Sequence, residues 1–378
     1  MRVALVHDNL WQAGGAERVL QVLRQVFPQA PVFTLGIADE VRPLFHDANV
    51  RASFLQRLPL PADRLRRLAA LFPVTMRGFN LSGYDLIVSS SWGFAKGIQA
   101  PARSRHVCYC HSLLNWAWET ESYAEGERLT LGARVALRAF ARSFRRWDYR
   151  TAQSVTHFVA NSRYTAKRVG QYYRRESTVI PPPVDLDFWK PTRPKGNFGV
   201  VVSRLVPHKR IDIAIAAFAK LNLPLYVVGD GRDRGRLEAI ASPNARFMGW
   251  VKDEVIRDML SAAHVILVPG KEDFGIVFLE SLACGTPVVA YGAGGALELI
   301  ADGENGWLVP SQNADAFAEV VAKAFGQSIP PEPLRATIQE YALPNFRDRM
   351  RSLVSRLCAL PEVGAITVGG APNSTGLG

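Results

Sequence analysis

The sequence predicts an α/β protein of two doubly wound parallel-sheet domains, and three observations predict it. The second half alternates short apolar strands, at 198–203, 225–229, 246–248, 265–268, 287–290 and 307–309, with helical patterns at 209–220, 232–240, 253–262, 276–283 and 313–325. The first half opens in the same way, with a buried-type strand at 3–6, a loop, and a helix whose apolar side carries Val19, Leu20, Val22 and Leu23. Between the halves, 188–197 holds prolines, a glycine and no periodicity, the mark of a linker. With 378 residues, 48% of them apolar, the chain can bury two ordinary cores.

Taken in order, further first-half strands read at 32–35 and 85–89, and another runs from His106 into an aromatic-rich loop. The stretch 61–76 mixes Arg64, Arg66 and Arg67 with Leu65, Leu68, Leu71 and Phe72. It suits a membrane interface, or a surface helix with its apolar side in the core. A second basic segment, 131–150, sets Arg134, Arg138, Arg142 and Arg146 at four-residue steps, with Ala133, Leu137, Phe140 and Phe144 free to pack on another face. No acidic residue compensates that stripe before Asp148, which favours contact with acidic lipid or a lipid-linked phosphate. The expected organisation is a first domain at 1–188, a linker at 189–197, a second domain at 198–343, a helix at 344–360 and a disordered Gly/Pro/Ser-rich tail at 361–378.

Bulk properties narrow the function. No apolar run approaches the ~20 residues of a membrane span, and the opening reads as a strand rather than a signal peptide. Cys108, Cys110, Cys284 and Cys358 lack paired metal spacing and read as reduced, small hydrophobic residues. Residues 1–190 hold 26 Lys/Arg against 15 Asp/Glu, whereas 191–378 hold 19 of each, so the whole excess of +11 sits in the first half. Nucleic acid, an anionic membrane or an acidic acceptor could each answer that charge. Nucleic acid is disfavoured, because the aromatics are not interleaved with a basic stripe.

The chemistry concentrates in the stretch from Gly270 to Glu280. A strand ends there in a Pro-Gly breaker, a short acidic turn follows, and a helix begins. Gly275 lets backbone approach a ligand, and the amides of Phe274, Gly275, Ile276 and Val277 at a helix N-terminus suit a diphosphate. Glu272 on the loop and Glu280 about one turn into the helix can both face one crevice and accept bonds from different hydroxyls. A central phosphate flanked by hydroxylated rings fits this set and describes a nucleotide sugar. A solvated loop glutamate and an ordinary helix glutamate explain the same spacing. Gly14 and Gly15 at the first helix start permit close approach to phosphate, or simply tight strand–helix packing. Arg204 after a strand end and Lys209 at the next helix start could neutralise a diphosphate without metal, or be surface charges. His111 lies just past a strand end, where it could meet a ligand or be a buried core histidine.

The Glu272 to Glu280 stretch resembles the Glu-x7-Glu signature of retaining glycosyltransferase family 4, and Gly285, Thr286, Pro287, Val288, Val289, Ala290, Gly294 and Gly295 continue the likeness. The resemblance implies the GT-B fold, two facing Rossmann-like domains whose last helix crosses back onto the first. It implies that Glu272 contacts the transferred sugar and Glu280 the ribose hydroxyls. Gly14 and Gly15 would touch the donor diphosphate, and Arg204 and Lys209 its phosphates. The segment around Cys110 and His111 resembles that of bacterial mannosyltransferases of O-antigen and exopolysaccharide synthesis, in which the histidine approaches the donor sugar. Here Ser112 and Leu113 replace Thr-Pro, and Asn115 replaces an arginine.

The expectation is therefore a retaining hexosyltransferase that moves a sugar, foremost mannose from GDP-mannose, onto a lipid-linked glycan. It would need no metal or other cofactor and bind an anionic membrane surface through its basic first domain, at the inner face of the cytoplasmic membrane. Asp185 and Asp187 imitate a metal-binding pair but sit in a proline turn and read as structural. A UDP-sugar donor (glucose or N-acetylglucosamine) keeps the same fold and reaction. An epimerase, a phosphorylase or a non-catalytic glycan-binding protein are the readings from other classes.

Overall fold

The computed structural model describes residues 1–58, 60–61, 64–65 and 68–359, so the expected tail and Arg66 and Arg67 of the first basic stretch lie outside the described residues. Two all-parallel sheets dominate. The first has seven strands: β1 (Val3–His7), β2 (Val32–Thr34), β3 (Val50–Ala52), β4 (Leu86–Ser91), β5 (Arg105–Cys110), β6 (His157–Ala160) and β7 (Ser177–Val179), in the order β3-β2-β1-β4-β5-β6-β7. The second has six: β8 (Gly199–Val202), β9 (Leu225–Val228), β10 (Ala245–Gly249), β11 (Val265–Val268), β12 (Val288–Tyr291) and β13 (Gly306–Val309), in the order β10-β9-β8-β11-β12-β13. Both orders reverse direction once, between β1 and β4 and between β8 and β11. Doubly wound sheets hold ligands at such switch points, beyond the carboxyl ends of the strands.

The inner strands are buried on both faces, as in β4 and β11, whereas the edge strands β3, β7 and β10 are partly exposed. Leu5, Val88, Val107, Tyr109 and Val159 meet Val19, Leu20 and Leu23 of the helix Gly15–Val26 on one face of the first sheet. The last helix, Leu343–Ala359, returns to that face and buries Phe346, Met350, Leu353 and Val354 against it. Each such side chain contributes about 1.5–3 kcal/mol of burial, enough to clamp the chain end to the first domain. Across the other face, Val6, Phe33 and Ile87 pack on Phe72, Phe94 and Phe144. Ile276 touches both the first-domain core and that of the second domain.

Two basic segments differ from expectation. Among the described residues of 61–76, Arg64 and Leu65 are helical, and after a turn at Leu68 a 3-10 turn at Ala69–Leu71 leads into the short helix Phe72–Arg77. Phe72 is helical and Pro73 sits in the first turn of that helix, where its missing amide hydrogen costs no intrahelical bond. The 131–150 segment does form a helix, Leu131–Gln153, but its apolar side is only half covered. Phe144 is buried, whereas Leu131, Val135 and Phe140 are exposed. Compensating acid comes from outside the helix, since Arg138 holds Glu121 with two hydrogen bonds of 2.7 and 2.8 Å. Among the described residues no helix is long and apolar enough to cross a membrane.

Candidate active site

The loops that leave β8 and β11 form the second-domain wall of the interdomain crevice. Lys209 was expected to start a helix. It instead ends a 3-10 turn, Pro207–Lys209, and Arg210 takes a left-handed φ of 53° before the helix Ile211–Leu221 begins. That turn carries the Lys209 ammonium to Glu272, where Nζ donates to Oε1 at 2.5 Å. Arg204 crosses to the first domain and meets Gln12 Oε1 at 3.4 Å. The Glu272 loop is supported from below by backbone: the Gly295 amide donates to the Glu272 carbonyl at 2.8 Å. Gly294, with φ of +64°, lies so close that a Cβ there would be 2.1 Å from the same oxygen.

Gly275 turns the chain into the helix Ile276–Ala283 with φ of +90°, the left-handed region that glycine enters without strain. The first amides of that helix have no partner within it and face outward from its start. The Gly14–Gly15 turn meets it from the first domain: a Cβ on Gly15 would lie 2.9 Å from Ile276 Cδ1. Phe274 itself is buried, its ring part of the second-domain core.

Glu280 is 4% exposed and is paired with Arg18 of the first-domain helix. Arg18 also holds Asp253 at 2.7 Å and lies 5.2 Å from the centre of the Trp189 ring. Arg18, Trp189, Asp253, Ile276 and Glu280 line a cleft of about 630 Å³ between the domains. Glu272 borders a separate, smaller hollow with Ser203 and Lys209. The two carboxylates therefore line different hollows rather than one. Between them runs the loop-to-helix turn at Gly275, and Glu280 is paired with Arg18.

Side chains build the first-domain wall. The parallel register sets His7 beside Ser90, and the His111 amide extends the pairing by donating to the Ser91 carbonyl at 2.8 Å. Ser90 Oγ lies 3.0 Å from His7 Nδ1 and 2.7 Å from His111 Nε2. Glu17, from the first helix, brings Oε1 to 3.5 Å from His7 Nε2. All four are buried, with His111 the most open at 9%. Burial, helped by the neighbouring His7, pushes the His111 pKa down to about 3, so the ring is neutral. Below it, Ser89 bonds His106 at 2.8 Å, and burial followed by Lys96 lowers that histidine to about 3 as well. Asp8 accepts the amides of Trp92, Phe94 and Ala95 at 2.6–2.7 Å and so fixes the loop after β4. Lys96 pairs with Asp148, which also accepts from Trp118 at 2.6 Å and Tyr173 at 2.7 Å.

The walls are tied together by residues to which the sequence reading gave no role. Arg168, 3% exposed, donates to Asp273 at 2.7 Å, lies 3.0 Å from Glu119 and also bonds Asn115. A guanidinium thus reaches the position where Asn115 stands in place of arginine, but from another helix. Ser162 Oγ donates to the Asp273 carbonyl at 2.7 Å, and Glu298 accepts the amides of Arg163 and Tyr164 at 2.8 and 2.6 Å. Glu127 holds His208 at 3.2 Å and pairs with Arg232. Asp185 caps its own turn, accepting the amides of Asp187 and Phe188 at 3.1 Å. Among the described residues no group of three or more His, Cys, Asp or Glu could hold a metal ion.

Residues 13–188 match Glycosyltransferase Family 4, and residues 185–343 match Glycosyl transferases group 1. A GDP-mannose-dependent alpha-(1-6)-phosphatidylinositol monomannoside mannosyltransferase of Mycolicibacterium smegmatis is 29% identical over 222 residues, covering 50% of this chain and 58% of that protein. The D-inositol 3-phosphate glycosyltransferase of Acidothermus cellulolyticus is 26% identical over 352 residues, 83% of this chain and 76% of that protein. Elsewhere the chain spans about half the length of the curated relatives it matches, as with the 45% covered in the Geodermatophilus obscurus and Segniliparus rotundus D-inositol 3-phosphate glycosyltransferases. Among solved structures, Anabaena HepE in complex with UDP-glucose superposes with a TM-score of 0.71 at 21% identity, covering 94% of this chain and all of that one. The chain is built of a glycosyltransferase family 4 domain followed by a glycosyl transferases group 1 domain, on the GT-B fold.

Proposed function

Proceeding from those two glycosyltransferase domains, we propose that the protein is a retaining hexosyltransferase that moves a sugar from a nucleotide donor onto a lipid-linked glycan, with mannose from GDP-mannose as the leading donor. The observation that carries this reading is the meeting of Lys209, Glu272 and the Gly14–Gly15 turn around the helix start at Ile276. It offers cations and amides to a diphosphate and a carboxylate to the sugar beyond it. In the proposed reaction the bond from the sugar carbon to the diphosphate oxygen breaks while the acceptor oxygen bonds to that carbon from the same face. The acceptor proton passes to the leaving diphosphate, whose charge Arg204, Lys209 and the loop amides stabilise. Glu280 takes the ribose hydroxyls, which requires Arg18 to share or release it. No metal is required.

Names of relatives support the donor: the M. smegmatis protein and a Corynebacterium glutamicum relative, 32% identical over 143 residues, are both described as GDP-mannose-dependent. For the acceptor and the membrane, support comes from exposed Leu131, Val135 and Phe140 beside exposed Arg142 and Arg146, a surface suited to anionic lipid. A second reading, a UDP-glucose donor, draws on the complex of Anabaena HepE with that compound. The test is incubation of the protein with membrane lipid extract and labelled GDP-mannose, UDP-glucose or UDP-N-acetylglucosamine, without metal. Label should enter the lipid phase from GDP-mannose, with the donor's anomeric configuration retained in the product. Transfer from a UDP-sugar instead would replace the donor. Binding of donors with no transfer from any of them would overturn the enzymatic reading.

A further inference from the structure

The first-domain wall carries a connected set of groups to which the reaction as described gives no work. We propose that Glu17, His7 and Ser90 form a chain of positioning residues that sets the ring tautomer of His111 and leaves its Nδ1 as a hydrogen-bond acceptor for a sugar hydroxyl. The chain itself follows from geometry; its use in turnover rests on the transferase reading.

A serine hydroxyl has one proton, so Ser90, placed 3.0 Å from His7 Nδ1 and 2.7 Å from His111 Nε2, donates to one ring and accepts from the other. The direction is decided at the far end. His7 Nε2 is buried without a hydrogen-bond partner, and the Glu17 carboxylate brings Oε1 to 3.5 Å from it. A carboxylate beside a ring nitrogen keeps the proton on that nitrogen and fixes the tautomer of the ring. With the proton on His7 Nε2, His7 Nδ1 is an acceptor and takes the Ser90 proton. Ser90 Oγ then accepts from His111 Nε2–H, and the lone pair of His111 falls on Nδ1. Among the described residues His111 Nδ1 makes no hydrogen bond, so this is the nitrogen left for a ligand. The backbone at His111 is held by the Asn161 side-chain amide, which donates to the His111 carbonyl at 2.8 Å, and the Tyr109 ring packs against the imidazole with its centre 5.0 Å away.

Two consequences follow. His111 accepts a hydrogen bond from a hydroxyl but, kept neutral by burial, is too weak a base to remove the acceptor's proton, which leaves that proton to the diphosphate. The first helix also serves two ends, since Arg18 reaches Glu280 while its neighbour Glu17 reaches, through two intermediates, to His111. A shift of that helix against β1 would therefore be felt both at Glu280 and at His111.

Tautomers are read directly by long-range proton–nitrogen correlation on protein labelled with 15N-histidine, at neutral pH and without nucleotide, with His111 assigned through His111→Gln. Wild-type His111 should appear as the single Nε2–H form. Ser90→Ala should give a mixture of both tautomers. Glu17→Ala, three links away, should do the same, whereas a residue that merely packs against the helix would leave the His111 signal unchanged. An Nδ1–H form in the wild type, or an unchanged signal in Glu17→Ala, would overturn the chain. Because no donor is present, this result stands apart from any failure of the transferase reading. In the transfer assay the same two variants should lose about tenfold or more in kcat, with donor KM moved by less than about twofold. Unaltered kcat in both would show that the chain does not serve turnover.

Discussion

The wall that the second domain gives to the crevice is made mostly of backbone, and the wall that the first domain gives is made mostly of buried side chains. Gly275, Gly294 and the amides before Val277 shape the former, with Lys209 and Glu272 as its main polar side chains. On the other wall stand His7, Glu17, Ser90 and His111, backed by His106 and by the Lys96–Asp148 pair. The difference predicts different weaknesses. A backbone wall fails when a Cβ is added where none fits. A side-chain wall fails when a buried partner is removed or a buried base is protonated.

The sharpest test on the side-chain wall is Lys96→Met. Among the described residues it leaves Asp148 with only the Trp118 and Tyr173 donors for a fully buried carboxylate. Unfolding in urea should show a loss of about 3–5 kcal/mol. On the backbone wall, Gly294→Ala places a Cβ 2.1 Å from the Glu272 carbonyl at a φ of +64°. We expect a loss of about 1–3 kcal/mol in the same assay together with weakened donor binding. Binding and stability both at wild-type values would show that backbone does not set this wall.

Acid should separate the walls further. The folded pKa values of His106 and His111 lie at about 3, below the ordinary 6.5. Their contribution to stability is therefore complete above pH 6.5 and is lost as pH falls from there toward 3. The slope is about 1.4 kcal/mol per pH unit for each ring. Hydrogen exchange at pH 5 should accelerate in the first sheet before the second, and His106→Gln should flatten the fall. Equal acceleration in both sheets would break the distinction. The smallest effect concerns the surface. Arg142→Glu with Arg146→Glu should change stability by less than about 0.5 kcal/mol. The pair should nevertheless weaken sedimentation with anionic vesicles, by about 1 kcal/mol per arginine.

The same contrast explains what could be read before folding. The second sheet was legible because most of its strands are unbroken apolar runs followed by a helix, and the Glu272 loop because its breaker, glycine and carboxylates are contiguous. Lys209 was placed at a helix start, since nothing local announces that Arg210 is left-handed. His7 and Ser90 lie 83 positions apart and meet only through the register of β1 with β4, so no sequence window contains their pairing. Arg168 and Asp273 were invisible for the same reason, being brought together by the approach of two domains. The exposure of Phe140 escaped as well, because helical spacing shows that a face is apolar and not what covers it.

We propose that the crevice between these walls holds a nucleoside diphosphate, bound by the second-domain wall without metal. Calorimetric titration with GDP, UDP and ADP, first without metal and then with magnesium, tests it most directly. Metal-independent binding of GDP, lost in Glu280→Ala, is the predicted result. Binding of none of the three, or binding untouched by Glu280→Ala, would contradict it.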